Sequence, residues 1–180
     1  MTVDNNIVFL NGQFVPMSEA KISPMDRGFL FGDGIYEVVP SYNAQLMGFG
    51  LHIERMQNGL NAIGIKLDMG VDDWRDIAKK LIEKNGQGNL GLYFHVSRGA
   101  DVKRYHAYPE HIQPTVFAYT FDIPESPIAD KQSVKQYRVA STEDLRWKHC
   151  QIKSTSLLGN LMHFQQGQDA GVHETILYNQ

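Results

Sequence analysis

Apolar positions change period several times along the chain, and each change marks an expected element. Residues 7–10 and 13–15 are apolar runs around Asn11-Gly12, a pair that favours a tight hairpin turn. Residues 35–40 predict a third strand, and Tyr42-Asn43-Ala44 offers a turn into a fourth over 45–49. The period then lengthens. Ile53, Met56, Leu60 and Ile63 step by threes and fours before Gly64, which predicts an amphipathic helix over 51–63. Trp74, Ile77, Ala78, Leu81 and Ile82 repeat the pattern between an Asp72-Asp73 start and an Asn85-Gly86 end, predicting a second helix. Residues 91–97 and 115–121, rich in aromatic and β-branched side chains, predict strands joined by the long polar segment 98–113.

Residues 122–130 carry two prolines and little apolar material, so they read as a linker between a domain spanning 1–121 and the start of another spanning 131–180. Beyond it, 134–140 predicts a strand, 154–168 a helix and 175–178 the beginning of a further strand. The expected class is α/β in two parts, the first an α+β domain of antiparallel strands with two helices.

Composition narrows the function. Apolar residues at 42% and charged residues at 21% describe an ordinary globular chain of 180 residues, long enough for one medium or two small domains. A net charge of −3, with no Lys/Arg stripe, argues against a nucleic-acid partner. No stretch reaches the roughly 20 apolar residues of a membrane span. Cys150 is the single cysteine, and the start Met1-Thr2-Val3-Asp4 lacks a signal-peptide pattern, so a cytoplasmic location is expected. Cys150 and the histidines have no metal-ligand spacing, and no metal is expected.

Lys153 follows Ile152 and precedes Leu157-Leu158, a setting whose partial desolvation favours the neutral, nucleophilic amine. Taken alone it reads first as a solvated lysine before a helix capped by Ser154 or Thr155. Gly32-Asp33-Gly34 lacks the strand-loop-helix spacing of a phosphate loop and reads as a turn before a strand. Several segments change the reading when taken in order: Phe31-Gly32-Asp33-Gly34-Ile35-Tyr36-Glu37-Val38-Val39, His52-Ile53-Glu54-Arg55, Arg104-Tyr105-His106, and Gln151-Ile152-Lys153-Ser154. In order and spacing they resemble the fold-type IV pyridoxal 5′-phosphate (PLP) aminotransferase family, on its D-amino acid transaminase side. The resemblance runs from the first hairpin to Glu174-Thr175-Ile176-Leu177.

That resemblance implies a two-domain fold whose second part begins a C-terminal α/β barrel-like domain. It implies that Lys153 carries PLP covalently and serves as general base, and that Arg55 holds the PLP phosphate through its always-charged fork. Tyr36 lies near the cofactor and helps hold the substrate carboxylate. Arg104 and His106 form a trap for that carboxylate that reaches into a neighbouring subunit's site, so a homodimer is expected. His52 is given a structural role, and Glu37, on the other face of its strand, is left without one. The implied reaction moves an amino group between a D-amino acid and a 2-oxo acid. Two other readings are a 4-amino-4-deoxychorismate lyase on the same lysine and cofactor, and a non-catalytic binding or assembly relative. His95 stands where the family often has glutamine. The chain ends at Gln180, 27 residues after Lys153, so an incomplete form of a longer enzyme is expected. The acidic partner of the cofactor's pyridine nitrogen would lie beyond it.

Overall fold

The computed structural model describes residues 6–86, 88–126, 132 and 134–179. It divides into two compact units, Met1–Glu125 with Ile152–Thr155, and Ser126–Gln151 with Ser156–Gln180. The expected linker includes 127–130, which lie outside the described residues.

The first unit is built on a six-stranded sheet. Strand β1 (Ile7–Leu10) turns into β2 (Gln13–Pro16) through Asn11 and Gly12, both at positive φ (47° and 90°), the backbone a two-residue hairpin demands. After a short helix α1 (Arg27–Phe31) come β3 (Gly34–Tyr42), β4 (Gln45–Leu46), helices α2 (Phe49–Ala62) and α3 (Val71–Asn85), and strands β5 (Leu90–Ser97) and β6 (Thr115–Asp122). The spatial order is β2-β1-β6-β5-β3-β4, antiparallel throughout.

Alternation along the strands sorts the side chains. Ile35, Val39, Leu92, Phe94, Val96 and Ala118 face the two helices, whose Met56, Leu60, Trp74 and Leu81 close the core. Trp74 packs edge-on against Phe94 with ring centroids 5.3 Å apart. Burial of such a side chain contributes about 1.5–3 kcal/mol, so this layer supplies the main stabilisation of the unit. The other face carries a band of rings, Tyr36 on Tyr93 at 5.7 Å, Tyr93 beside Tyr119 at 5.2 Å, and Phe117 on Tyr119 at 5.6 Å.

Several elements depart from expectation. The strand expected over 45–49 is only two residues long, because Phe49 opens α2 and packs its ring 6.3 Å from Phe94 in the core. Helix α1, too short to show a period, is capped by the Asp26 carboxylate, which accepts from the Gly28 N–H at 2.8 Å. Helix α3 is capped at Gly70, whose N–H donates to the Asp73 carboxylate at 2.7 Å.

The helix expected over 154–168 begins later, at Leu158, because Lys153 to Thr155 run extended along the outer edge of β3. There β4 pairs only with Ser41 and Tyr42 and leaves the preceding backbone open. The Tyr36 N–H donates to the Lys153 carbonyl at 3.1 Å and the Thr155 N–H to the Gly34 carbonyl at 2.9 Å. The start of the β3 edge is thereby paired, and 152–155, expected with the second part, packs with the first unit.

The second unit is a parallel pair, β7 (Val139–Glu143) with β8 (Glu174–Tyr178), joined through helix α4 (Leu158–Asp169). A parallel pair needs such a crossover. The strand expected over 134–140 lies further along, because Val139 to Glu143 find their partners in Glu174 to Tyr178. Among the described residues no helix is long and apolar enough to cross a membrane.

Candidate active site

Pinning of residues 153–155 to β3 determines where Lys153 sits. Its Nζ lies 3.9 Å from the centroid of the Tyr36 ring and makes no hydrogen bond or ion pair among the described residues. Such a contact on a ring face contributes on the order of 0.5–1 kcal/mol, enough to orient the amine. Tyr36 occupies its place by register, directly across from His95. Behind it the Tyr93 hydroxyl is pushed up to about 12, first by burial and then by the neighbouring Tyr119 and Tyr36. It stands 3.0 Å from His95 Nδ1. Burial holds His95 below its ordinary value, which favours the neutral ring in this hydrogen bond with the Tyr93 hydroxyl.

On the helix-covered face of β3, Glu37 is fully buried, with 0% exposure. Its Oε1 accepts from Arg55 Nε at 2.6 Å, and its Oε2 from Arg55 Nη2 at 2.7 Å and His52 Nδ1 at 2.8 Å. Burial alone would raise this carboxyl, but the hydrogen bonds and charge of Arg55, with those of His52, outweigh it and hold the group below its usual value. An ionised carboxylate can only accept, so His52 carries its proton on Nδ1. Arg55 Nη2 and His52 Nδ1, 3.5 Å apart, are then both donors and do not bond each other. The Arg55 side chain remains 52% exposed, and its Nη1 has no hydrogen-bond partner among the described residues. Half of the guanidinium fork is thus available to an anion.

A second, largely covered carboxylate organises the loop that carries Arg104 and His106. Asp33 accepts from Arg27 Nε at 2.8 Å and from Arg98 Nε and Nη2 at 2.7 and 3.0 Å. Burial opposes its ionised form, and the bonds from Arg98 and Arg27 prevail, holding its carboxyl below the usual value. Arg27 also donates to the carbonyls of Tyr105 at 2.6 Å and His106 at 3.2 Å. Arg104 and His106 are exposed and flank Phe31, with the Arg104 guanidinium 5.0 Å and the His106 ring 5.3 Å from its ring centroid.

Of the five residues singled out in the sequence, the structure therefore brings Lys153 and Tyr36 together. Arg55 is joined to Glu37, whose strand also carries Tyr36. Arg104 and His106 make no hydrogen bond, ion pair or ring contact with any of them among the described residues. Sequence reasoning missed Arg27, Asp33 and Arg98. Asp33 between two glycines was the available signal.

Comparison with known proteins extends this picture. Residues 34–180 match the model of a family described as amino-transferase class IV. The D-alanine aminotransferase of Staphylococcus aureus (strain N315) is 37% identical over 158 residues, covering 86% of this chain and 54% of the relative. That of Bacillus licheniformis is 37% identical over 170 residues, covering 94% and 59%. The chain spans little more than half the length of these curated relatives. Among solved structures, the branched-chain aminotransferase from the thermophilic archaeon Thermoproteus uzoniensis, with norvaline, superposes with a TM-score of 0.81 at 17% identity. The match covers 97% of this chain and 60% of that one. A putative 4-amino-4-deoxychorismate lyase from Legionella pneumophila reaches a TM-score of 0.75 at 21% identity, covering 91% and 58%. At those identities they establish the fold, which is the fold-type IV α/β architecture expected from the sequence. The family match takes in β3, α2 and the Lys153 segment together, and the chain belongs to the amino-transferase class IV family.

Proposed function

We propose that the chain is the PLP-binding part of an aminotransferase that moves an amino group between a D-amino acid and a 2-oxo acid. The observation that carries the reading is Lys153 Nζ, held on the Tyr36 ring without a carboxylate partner among the described residues. The donor set fits the cofactor: an unpaired amine suits its aldehyde, and the exposed side of Arg55 suits its phosphate. When bound, PLP supplies an electron sink for the pair left at the substrate Cα.

The chain's own residues do the rest. Lys153 Nζ would hold the cofactor through its aldehyde and, as general base, would take the proton from the substrate Cα. Tyr36 seats the Lys153 amine on its ring and helps hold the substrate carboxylate. Arg55 binds the phosphate, and Arg104 and His106 recognise the substrate carboxylate across a homodimer. Residues 131–180 form the beginning of a C-terminal PLP-binding domain, and the protein acts in the cytoplasm on small amino and oxo acids. The D-alanine aminotransferase relatives support a D-amino acid as donor.

The test is an absorption spectrum of the chain after incubation with PLP and desalting, then borohydride reduction and peptide mass mapping. A reduced pyridoxyl group on Lys153, with amino transfer from D-alanine to 2-oxoglutarate by the chain extended at its C-terminus, is the expected result. A well-folded chain with no pyridoxyl on Lys153 would overturn the reading.

A further inference from the structure

We infer that Glu37 is a positioning residue that acts through Arg55, holding the guanidinium by its Nε and Nη2 edge so that the Nη1 side faces a phosphate group. The inference rests on Arg55 as the phosphate-binding residue of the proposed site. Glu37 has no exposure and sits on the core-facing side of β3 between Ile35 and Val39. A carboxylate in such a place is costly unless fully paired, and a purely structural position there would suit an apolar residue. Both its oxygens are spent on two side chains of one helix, His52 and Arg55, three residues apart on the same face of α2.

The arrangement leaves Arg55 anchored at one edge and open at the other. A free arginine must give up much rotamer freedom to meet a ligand, and here part of that freedom is lost before the ligand arrives. Glu37 also offsets the charge of Arg55, so it cannot aid an anion by electrostatics. Its contribution is orientation, and the two effects predict opposite signs. On charge alone, Glu37→Gln would strengthen phosphate binding. By positioning, it weakens it.

The experiment measures equilibrium binding of PLP and of pyridoxal, which has the same ring and aldehyde without the phosphate. It uses the full 180-residue chain as wild type, Glu37→Gln, Arg55→Lys and the double variant. Glu37→Gln is expected to lower the preference for PLP over pyridoxal about tenfold, the scale of one charge-assisted hydrogen bond, and to leave pyridoxal affinity within about twofold. The double variant should be no worse than Arg55→Lys alone.

An unchanged or increased preference, or equal weakening of both ligands, would overturn the positioning role while leaving Arg55 as phosphate ligand. A wild-type chain with no preference for PLP would overturn the phosphate assignment, and this inference with it. Should Glu37→Gln fail to fold, the wild-type protein decides through the Arg55 Nε–H resonance, identified by its loss in Arg55→Lys. Protection from solvent exchange before any ligand is added supports the anchor, and rapid exchange overturns it.

Discussion

Replacing Asp33 removes the carboxylate shared by two guanidiniums that have almost no other access to charge compensation. Arg27 and Arg98 are 3% and 5% exposed, and Asp33 itself is 11% exposed. Three charge-assisted hydrogen bonds join them, each worth about 1.5–3 kcal/mol net. The full sum is not lost, because Arg27 keeps the carbonyls of Tyr105 and His106, and Arg98 keeps those of Ile63 and Gly64. Asp33→Asn retains one neutral acceptor and should cost about 2–3 kcal/mol. Asp33→Ala should approach the roughly 3–5 kcal/mol of a broken buried ion pair.

The assay is urea unfolding followed by Trp74 fluorescence in a Trp147→Phe background, since these are the chain's two tryptophans and Trp74, 1% exposed, belongs to the first unit. A lower midpoint with an unchanged slope reports lost stability alone. The pH dependence follows from the depressed carboxyl of Asp33. Its folded-state value lies below the unfolded value of about 4, so its contribution is complete above that value and is lost as pH falls through the folded one. The gap between wild type and Asp33→Asn should therefore be constant near neutrality and narrow in acid. A loss under about 1 kcal/mol, or a gap that widens in acid, would refute the argument.

Gly99→Ala should destabilise the first unit by more than about 3 kcal/mol, because φ is 104° there and an added Cβ would overlap the Gln113 carbonyl; the same urea assay reads it. Ser41→Ala should leave stability unchanged or raise it by up to about 1 kcal/mol, since the buried Ser41 hydroxyl has no partner among the described residues. In the second unit, Asp144 is held down to about 2 by the Arg146 side chain and backbone N–H. Its carboxyl carbon, followed by NMR, should titrate near that value in the wild type and move upward in Arg146→Met, stopping short of the ordinary aspartate range because the backbone N–H of residue 146 still donates.

Local pattern was enough for elements whose own residues decide them. Asn11-Gly12 specifies its turn by backbone preference, and α2 and α3 show their period because one continuous face of each is buried. The ordered motifs around Tyr36, Arg55 and Lys153 likewise carried the family resemblance without any coordinates. What the sequence hid depends on partners far away along the chain. Residues 153–155 carry helix-like neighbours, yet they extend because β3, more than a hundred positions earlier, offers unpaired backbone groups. Glu37 reads as the polar half of a strand alternation until α2 folds over it and supplies two donors. Asp33 reads as a turn residue until Arg27 and Arg98 converge on it and tie it to the loop of Arg104 and His106. Periodicity and turn chemistry are properties of neighbours in sequence. A buried charge is tolerable only where the tertiary fold gathers its partners, so those roles are visible only there.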